Sequence, residues 1–421
     1  MPRGAKPAAA VKATATELIL AHNAGREPER LVIKYKTMRG TPFAFLRATS
    51  HVYYTRMRDA GVAPGGPPAW NSGDLHLENY GTYLGDNGLV YFDINDFDAG
   101  ILAPAPWDIL RQTTSVLIAA PTLAMKRSEV NDLARRMLEG YSETLLTGKA
   151  RWIERRTADG VIGDLMQGLR RRDPVAFLDG RSKVHKGVRS LKIDGKKMLP
   201  VTPKELQALR AWLRAQCNGP DEKSFFDLID AARRIAGVSS LGTPRYALLI
   251  SGGGSPDGNL LLDLKSAQAS TAAPFSPYPQ PHWESEAHRI VAVQTRCQAV
   301  SPGLLRAVTY GGAPFVMREL QPSEDRLDLS AAAKPAERLA NALHTMAELS
   351  AWGQLRSAGR QGSAPADDLV ALGRDKGLAA RLLTTAKQLE ELVLADWHDY
   401  CASYDAGRFA LAAAVKAGAV T

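Results

Sequence analysis

The sequence predicts an α+β protein in which a small antiparallel β region accompanies a larger helical region. Stretches with apolar residues at helical spacing occur before residue 150 and after residue 330, for example over 127–146 and 376–404. Short apolar runs separated by glycine-rich turns lie between them, over 235–268 and 315–320. The chain has 421 residues, of which 45% are hydrophobic, so it can bury a large core as one two-lobed body or as two domains.

The composition indicates which compartment and which kinds of ligand suit the protein. No apolar run approaches a membrane span and the first ten residues have no signal-peptide core, so we expect no membrane association. Three scattered cysteines, Cys217, Cys297 and Cys401, form neither a metal pair nor a disulfide framework, which favours a reducing cytoplasm. The net charge of +9 favours anionic ligands such as nucleotides. Nucleic acid is not expected, because no basic-aromatic interleaving is present, and the oligomeric state is not indicated.

The N-terminal part predicts a disordered tail followed by helices. Residues 1–14 are small, basic and Ala-rich, which is typical of a disordered segment. Thr41-Pro42 predicts the start of a helix, because Pro suits the first helical position. Arg39 and Arg47 flank this start, and they could reach either a phosphate or an internal ion pair.

The most informative stretch covers residues 71–108. It contains Asp74 and Asn79 at the spacing D-x-x-x-x-N, then a turn and an apolar run, 89–92, that predicts a strand. Acidic groups crowded at the end of a buried strand repel one another and lose hydration. They persist most easily around a cation such as Mg²⁺, which prefers oxygen ligands. The polar residues at the end of this strand are Asp93, Asn95, Asp96 and Asp98.

A second informative stretch covers residues 235–268. Strands are predicted at 243–250 and 259–264, and Lys265 ends the second strand. A loop of small residues precedes them, and glycine there allows backbone N–H groups to approach a phosphate closely. The candidate phosphate-binding residues of this loop are Gly237, Ser239, Ser240 and Gly242.

The first stretch resembles the catalytic and metal loops of kinase-like phosphotransferases. Protein kinases write the catalytic loop as H-R-D-x-x-x-x-N, and small-molecule kinases of the aminoglycoside or choline kinase type write it as G-D-x-H-x-x-N. Asp74 and Asn79 match this spacing, and Asp96-Phe97-Asp98 is similar to the metal-binding D-F-G element. Asp108 stands where small-molecule kinases repeat an aspartate at the head of a helix.

The resemblance implies ATP and Mg²⁺ as cofactors and a role for each residue. Asp74 would accept the proton of a substrate hydroxyl, with His76 shaping the same loop, while Asn79 and Asp96 would hold Mg²⁺. Asp93 competes with Asp96 for the metal role, because it is closer to the usual distance from the catalytic Asp. This chain departs from the family pattern in two places, since Ser72 replaces a His and Asp98 replaces the Gly of protein kinases.

The second stretch is similar to the nucleotide-binding part of kinases, in which a Lys at the end of the third strand reaches the phosphates. The resemblance implies a helix acid that pairs with Lys265. The predicted helix over 281–300 offers Glu284 and Glu286, of which we favour Glu286, and Gln294 is a further candidate. Alternatively, both acids simply suit the positive end of the helix dipole. The strand at 315–320 would be the edge strand that leads to the hinge and holds the adenine.

The order of these parts implies a circularly permuted kinase plan. In ordinary kinases the glycine-rich loop and its Lys precede the catalytic loop, whereas here Asp74 precedes Lys265. The implied fold is two-lobed, with a small antiparallel β lobe and a large helical lobe. The predicted divisions are a helical lobe over 15–230, a β-rich nucleotide-binding lobe over 231–325 and C-terminal helices over 326–421.

Three motifs together resemble an uncharacterised bacterial family, the domain of unknown function 2252. They are T-P-F-A-F-L-R at 41–47, G-D-L-H-L-E-N-Y-G at 73–81 and F-D-I-N-D-F-D at 92–98. The resemblance extends over nearly the whole chain and brings no substrate with it.

The sequence therefore predicts an ATP- and Mg²⁺-dependent phosphotransferase acting on an unknown hydroxyl acceptor, which could be a protein, a sugar, an amino alcohol or an antibiotic. Three alternatives stay open: a metal-dependent phosphohydrolase that does not need Lys265, a nucleotidyl transferase, and a catalytically silent ATP-binding module. The phosphohydrolase would be built on Asp74, His76, Asp93, Asp96 and Asp98.

Overall fold

The computed structural model describes residues 13–169, 172–321, 325–327 and 336–410. The expected N-terminal tail therefore lies outside the described residues except at 13 and 14, and so do residues 411–421 of the expected C-terminal segment. Within these ranges the chain is an α+β structure with antiparallel sheets, as the sequence predicts. None of the helices described is both long and apolar enough to cross a bilayer.

The helix signalled by Thr41-Pro42 begins at the predicted position, whereas the helix predicted over 281–300 begins only at residue 286. Pro42 occupies the first turn of its helix, and the Thr41 side chain accepts a hydrogen bond from the Ala44 N–H at 3.1 Å. The helix predicted over 127–146 is confirmed with those bounds. The helices are Ala15–His22 (α1), Pro28–Gly40 (α2), Pro42–Ala48 (α3), Ser50–Asp59 (α4), Pro106–Ile118 (α5), Arg127–Leu146 (α6), Gly160–Leu169 (α7), Pro174–Arg181 (α8), Pro203–Ala215 (α9), Pro220–Phe225 (α10), Glu286–Cys297 (α11), Ala336–Ser357 (α12), Ala366–Gly373 (α13) and Leu378–Asp405 (α14).

Strands occupy the predicted regions and several others. The predicted strand at 89–92 is observed as Val90–Ile94, and those predicted at 243–250 and 259–264 are observed as Arg245–Ile250 and Leu260–Ser266. The strands are Pro68–Asn71 (β1), Tyr80–Leu84 (β2), Val90–Ile94 (β3), Ile101–Pro104 (β4), Ile153–Glu154 (β5), Ser182–His185 (β6), Val188–Leu191 (β7), Met198–Pro200 (β8), Leu228–Arg234 (β9), Arg245–Ile250 (β10), Leu260–Ser266 (β11), Arg306–Tyr310 (β12), Ala313–Glu319 (β13) and Asp325–Arg326 (β14).

The main sheet is antiparallel and has the spatial order β12-β13-β11-β10-β9-β8. Its register places Lys265 between Arg245 on β10 and Val316 on β13. Helix α11 packs against β12 and β13, and α9 packs against β9. The predicted division at residue 230 falls inside β9, and β8 joins the sheet from further upstream.

Strand β13 is not the edge strand that the resemblance implies, because β12 covers its outer side. The two strands are joined by Gly311 and Gly312, whose φ values are +58° and +78°. A two-residue turn with positive φ at both positions matches the twist of the strands on either side. Strand β12 was not predicted, although this Gly-Gly pair marks its hairpin.

Two antiparallel strand pairs bracket the 71–108 stretch. Asn71 at the end of β1 pairs with Ile101 at the start of β4, and Tyr80 at the start of β2 pairs with Ile94 at the end of β3. The loop that follows β1 and the loop that follows β3 therefore run side by side. The Asn95 N–H donates to the Asn79 carbonyl at 2.7 Å and joins the two loops directly.

Helix α5 forms the centre of the helical part. All of its residues are buried, and it packs against α6 and α14. It begins at Pro106, which suits a first helical turn. Since buried charges need partners, Asp108 and Arg111 on this helix must be paired inside the protein.

Candidate functional site

A cleft of about 590 Å³ lies between the main sheet and the two loops that follow β1 and β3. We call residues 71–79 the Asp74 loop, 95–100 the acidic loop and 237–242 the glycine loop. The cleft brings together residues from two stretches of sequence that are far apart. The predicted site residues that line it are Asp74, His76, Asn79, Asp96, Asp98, Gly237, Ser239, Ser240 and Lys265.

Three predicted site residues do not line the cleft. Asp93 is buried within β3, where its Oδ1 accepts the Ile94 N–H at 2.8 Å and burial raises its pKa to about 6. The carbonyl of Gly242 accepts the Glu27 N–H at 3.2 Å, which fixes the end of the glycine loop against the N-terminal helices. Glu286 pairs with Arg289 of its own helix at 2.6 Å.

The Asp74 loop is fixed by its backbone. Gly73 has φ +80°, and a Cβ at this position would lie 2.0 Å from the Ala99 carbonyl oxygen, so only glycine fits. The Asp108 carboxylate accepts the N–H groups of Ser72 at 2.6 Å and Gly73 at 3.0 Å. The aspartate at the head of α5 therefore positions the turn that presents Asp74.

Asp74 is held by a cation from the same helix. Arg111 is fully buried, and its Nε donates to Asp74 Oδ1 at 2.7 Å. Burial raises the pKa of Asp74 to about 7, although the charge and hydrogen bond of Arg111 oppose the rise. A carboxylate with a pKa near neutrality is suited to accept a proton from a hydroxyl.

The remainder of the Asp74 loop forms a single 3₁₀ turn, Leu77–Asn79. The His76 N–H donates to Asn79 Oδ1 at 3.1 Å, and the Glu78 N–H donates to His76 Nδ1 at 3.2 Å. Glu78 in turn pairs with Arg47 at 2.8 Å. Arg47 thus lines the cleft within an internal ion pair, whereas Arg39 pairs with Asp405 away from it.

Lys265 pairs with the acidic loop. Its Nζ contacts the carboxylate of Asp98, and the structure does not show the implied pair between Lys265 and Glu286. Of the residues considered on α11, Gln294 lines the cleft and Glu286 does not. The metal-loop residue Asp98 and the phosphate-binding candidate Lys265 are thereby in direct contact.

The chain matches a family model described as an uncharacterized protein conserved in bacteria (DUF2252) over residues 26–403. The protein belongs to the DUF2252 family. This confirms the resemblance carried by the motifs at 41–47, 73–81 and 92–98. No match is found among curated proteins or among solved structures.

One buried residue of this DUF2252 chain that the motifs do not reveal is Arg289 on α11. It donates to three carbonyl oxygens, those of Gly100 at 2.7 Å, Asp98 at 2.8 Å and Gln268 at 2.9 Å. It thereby ties the acidic loop to the segment that follows β11. An isolated Arg in an amphipathic helix gives no local sign of such contacts.

The sheet side of the cleft is basic. Asp263, buried on β11, accepts hydrogen bonds from Arg234 at 2.9 Å and from Arg245 Nε at 2.8 Å. Burial alone would raise the pKa of Asp263, but these two guanidinium groups hold it well below its usual range. The cations that line the sheet side of the cleft are Arg181, Lys197, Arg234, Arg245, Lys265 and Arg318.

The opposite side of the cleft offers oxygen ligands. Across the described ranges, no three His, Cys, Asp or Glu side chains form a ready metal site. Mg²⁺ in nucleotide sites is usually held by one or two carboxylates together with substrate phosphates. Asn79, Asp96 and Asp98 supply such oxygens, and Asn95 Oδ1 is buried at the cleft with no hydrogen-bond partner in the described structure. These donors fit an ion that is shared with a phosphate.

Proposed function

We propose that this DUF2252 protein is an ATP- and Mg²⁺-dependent phosphotransferase with a kinase-like, two-lobed and circularly permuted arrangement. The observation that carries the proposal is the charge pattern of the cleft. Carboxylates of the Asp74 loop and the acidic loop face Lys265 and the other cations of the main sheet. A polyphosphate with a divalent ion complements both walls at once.

The connectivity around the cleft supports the kinase-like part of the proposal. The Asp74 loop and the acidic loop emerge side by side from two antiparallel strand pairs. Lys265 lies on a central strand of the main sheet, and α11 packs on the same sheet. Kinases place a catalytic loop, a metal loop, a strand Lys and a helix around the nucleotide in this way.

The nucleotide is expected to lie with its phosphates toward the glycine loop and Lys265. The adenine is expected to lie against the apolar part of the cleft, which Ile290, Val316 and Leu320 form. The Gln321 side chain next to it joins the main sheet to β2, because it accepts the Leu84 N–H at 2.6 Å and donates to the Leu84 carbonyl at 2.9 Å. This short connection suits a hinge.

Each residue of the cleft has a proposed role in the reaction. Asp74 takes the proton of the acceptor hydroxyl, and Arg111 orients its carboxylate. Asn79, Asp96 and Asp98 are the residues that would hold Mg²⁺, which when bound neutralises charge on the phosphate oxygens. When the nucleotide binds, Lys265 would leave Asp98 and contact a phosphate oxygen. The Asp98 carboxylate would then be available to hold the metal.

The products of ATP turnover test the proposal. We expect ³¹P NMR of the protein with ATP and Mg²⁺ to show ADP and a phosphate ester or free phosphate. Both Asp74→Asn and Lys265→Met should lose this turnover. AMP with pyrophosphate would instead identify a nucleotidyl transferase, and full activity of Lys265→Met would identify a metal-dependent phosphohydrolase.

A further inference from the structure

A second, smaller cavity of about 70 Å³ adjoins the cleft at Asp74. The two cavities share Asp74, Asp96 and Asp98, together with two serines of the glycine loop. The smaller cavity extends away from the basic wall of the sheet, toward the N-terminal helices and the segment that follows β11. A molecule in it would meet the Asp74 carboxylate beside the proposed nucleotide site.

Side chains with hydroxyl and amide groups form part of its wall. Ser50, Thr243, Ser266, Gln268 and Thr271 line it. The hydroxyls of Ser50 and Thr271 are 2.7 Å apart, so the wall on this side is closed by a hydrogen bond between α4 and the later segment. These groups offer hydrogen bonds to a small polar ligand.

One part of the cavity wall is cationic. Arg26 lines it and donates to the carbonyls of Ser239 at 2.8 Å and Leu241 at 3.3 Å, and it contacts His22 Nε2 at 3.0 Å. None of these partners is an acid, and within the described chain Arg26 forms no salt bridge. Burial lowers the pKa of His22 to about 3, so the ring beside Arg26 is neutral at physiological pH.

A buried lysine lies behind the same wall. Lys34 is fully buried, and its Nζ donates to Asn23 Oδ1 at 2.8 Å and to the Ser239 carbonyl at 3.0 Å. Burial lowers the pKa of Lys34 well below its usual range, and the charge of Arg26 lowers it further, whereas the Asp74 carboxylate opposes the fall. An anion in the adjoining cavity would compensate the charge of Arg26.

We propose that this cavity is the acceptor site and that the acceptor is a small hydroxylated carboxylic acid. Its hydroxyl contacts Asp74, and its carboxylate contacts Arg26. The volume corresponds to roughly five to seven water-sized positions, which suits an acceptor of a few heavy atoms. This inference rests on the proposed phosphotransferase function.

The corresponding reaction is balanced with ATP as the donor. The acceptor hydroxyl oxygen forms a bond to the γ-phosphorus of ATP, and the bond from that phosphorus to the β,γ-bridging oxygen breaks. ADP leaves with the electron pair of this bond. The hydroxyl proton passes to Asp74, and the product is a phosphorylated acid.

Calorimetric titration without nucleotide tests the cavity directly. The probes are glycolate, glycerate and 3-hydroxybutyrate, each compared with the diol or triol that lacks the carboxylate. We expect at least one acid to bind about tenfold or more tightly than its uncharged partner, as charge-assisted hydrogen bonds of this kind provide. Arg26→Gln should remove the preference, and Lys36→Gln, which removes the same charge at an exposed position of α2, should keep it.

A second variant keeps the test decisive if Arg26→Gln does not fold. Gln268 is exposed at the cavity, so Gln268→Glu should fold. It should weaken binding of the acid by about threefold and leave the uncharged partner unaffected. The inference is overturned if no acid is preferred, or if the preference survives both Arg26→Gln and Gln268→Glu.

Binding of MgATP to the same preparation separates this inference from the proposed function. MgATP binding without any preference for acids would overturn the acceptor assignment and leave the phosphotransferase standing. A preference for acids without MgATP binding would overturn the phosphotransferase and, with it, the role of the cavity as an acceptor site.

Discussion

Asp74 depends on two residues of one buried helix. Arg111 holds its carboxylate, and Asp108 holds the backbone of the turn that carries it. Both residues are buried on α5, so they can make these contacts without losing them to water. The catalytic candidate is therefore positioned by the centre of the helical part as well as by its own loop.

The raised pKa of Asp74 predicts a pH dependence. A base with a pKa near 7 is protonated below that pH and accepts no proton there, so kcat/KM for ATP turnover should fall as the pH drops from about 8 to 6. The pH profile of kcat/KM measures this pKa in the free enzyme. A profile that is flat across this range would contradict a proton-accepting role for Asp74.

The backbone at Gly73 predicts a severe effect of one methyl group. Gly73→Ala places Cβ against the Ala99 carbonyl and should strongly reduce both the melting temperature and ATP turnover. Gly88→Ala is the matched control, since Gly88 has φ +77° and no atom within 4 Å of the added Cβ. It should lose only about 1–2 kcal/mol of stability, the cost of a left-handed alanine. Equal losses in the two variants would contradict a close contact at Gly73.

Single residues differ in how far the sequence reveals them. Asp74, Asn79, Asp96 and Lys265 could be found because they belong to motifs with fixed spacing. Arg26 and Arg289 could not, because they contact backbone carbonyls from segments far away in sequence. No local pattern records a contact of that kind.

At the scale of elements, α11 contributes differently from the expectation. The resemblance implies that its acid pairs with Lys265, whereas Lys265 contacts Asp98 and the helix provides Arg289. Arg289 holds the acidic loop by its backbone, so α11 still connects the main sheet to the candidate metal ligands. The helix thus controls the position of the loop through carbonyl contacts.

Replacing Arg289 should loosen the acidic loop. Arg289→Met leaves the three carbonyls without this donor, so we expect a loss of about 3 kcal/mol in urea unfolding and faster amide exchange over 95–100. Glu286→Gln is the control, because Glu286 contacts Arg289 from the exposed side. Unchanged exchange in Arg289→Met would show that the loop is held by other contacts.

Elements with strong periodicity or clear turns were predictable. Helix α6 has the predicted bounds, and β10 and β11 pair across the predicted turn. Strand β12 was missed because its sequence, R-A-V-T-Y, has no continuous apolar run and none of its residues is buried, although Gly311-Gly312 marks its hairpin. Because β12 was not predicted, β13 was expected to be an edge strand. Which strands are neighbours depends on long-range pairing, which local patterns do not record.

At the scale of the molecule, the cleft is assembled from segments that are distant in sequence. The Asp74 loop and the acidic loop come from the first hundred residues, and the glycine loop and Lys265 come from residues 237–265. The N-terminal helices contact the glycine loop through Arg26 and Lys34. Motif order alone cannot place these segments relative to one another, because the contacts are non-local. The α+β class was predictable, since it follows from the local patterns.

Stabilisation by MgATP tests the central claim most directly. A ligand that binds only the folded state adds about 2.7 kcal/mol at a hundredfold excess over its dissociation constant, which thermal unfolding detects. We predict that MgATP stabilises the wild-type protein and that Asp96→Asn and Lys265→Met weaken or abolish this stabilisation. The exposed controls Asp86→Asn and Lys204→Met should retain it. The absence of any MgATP-dependent shift in the wild-type protein would contradict the account.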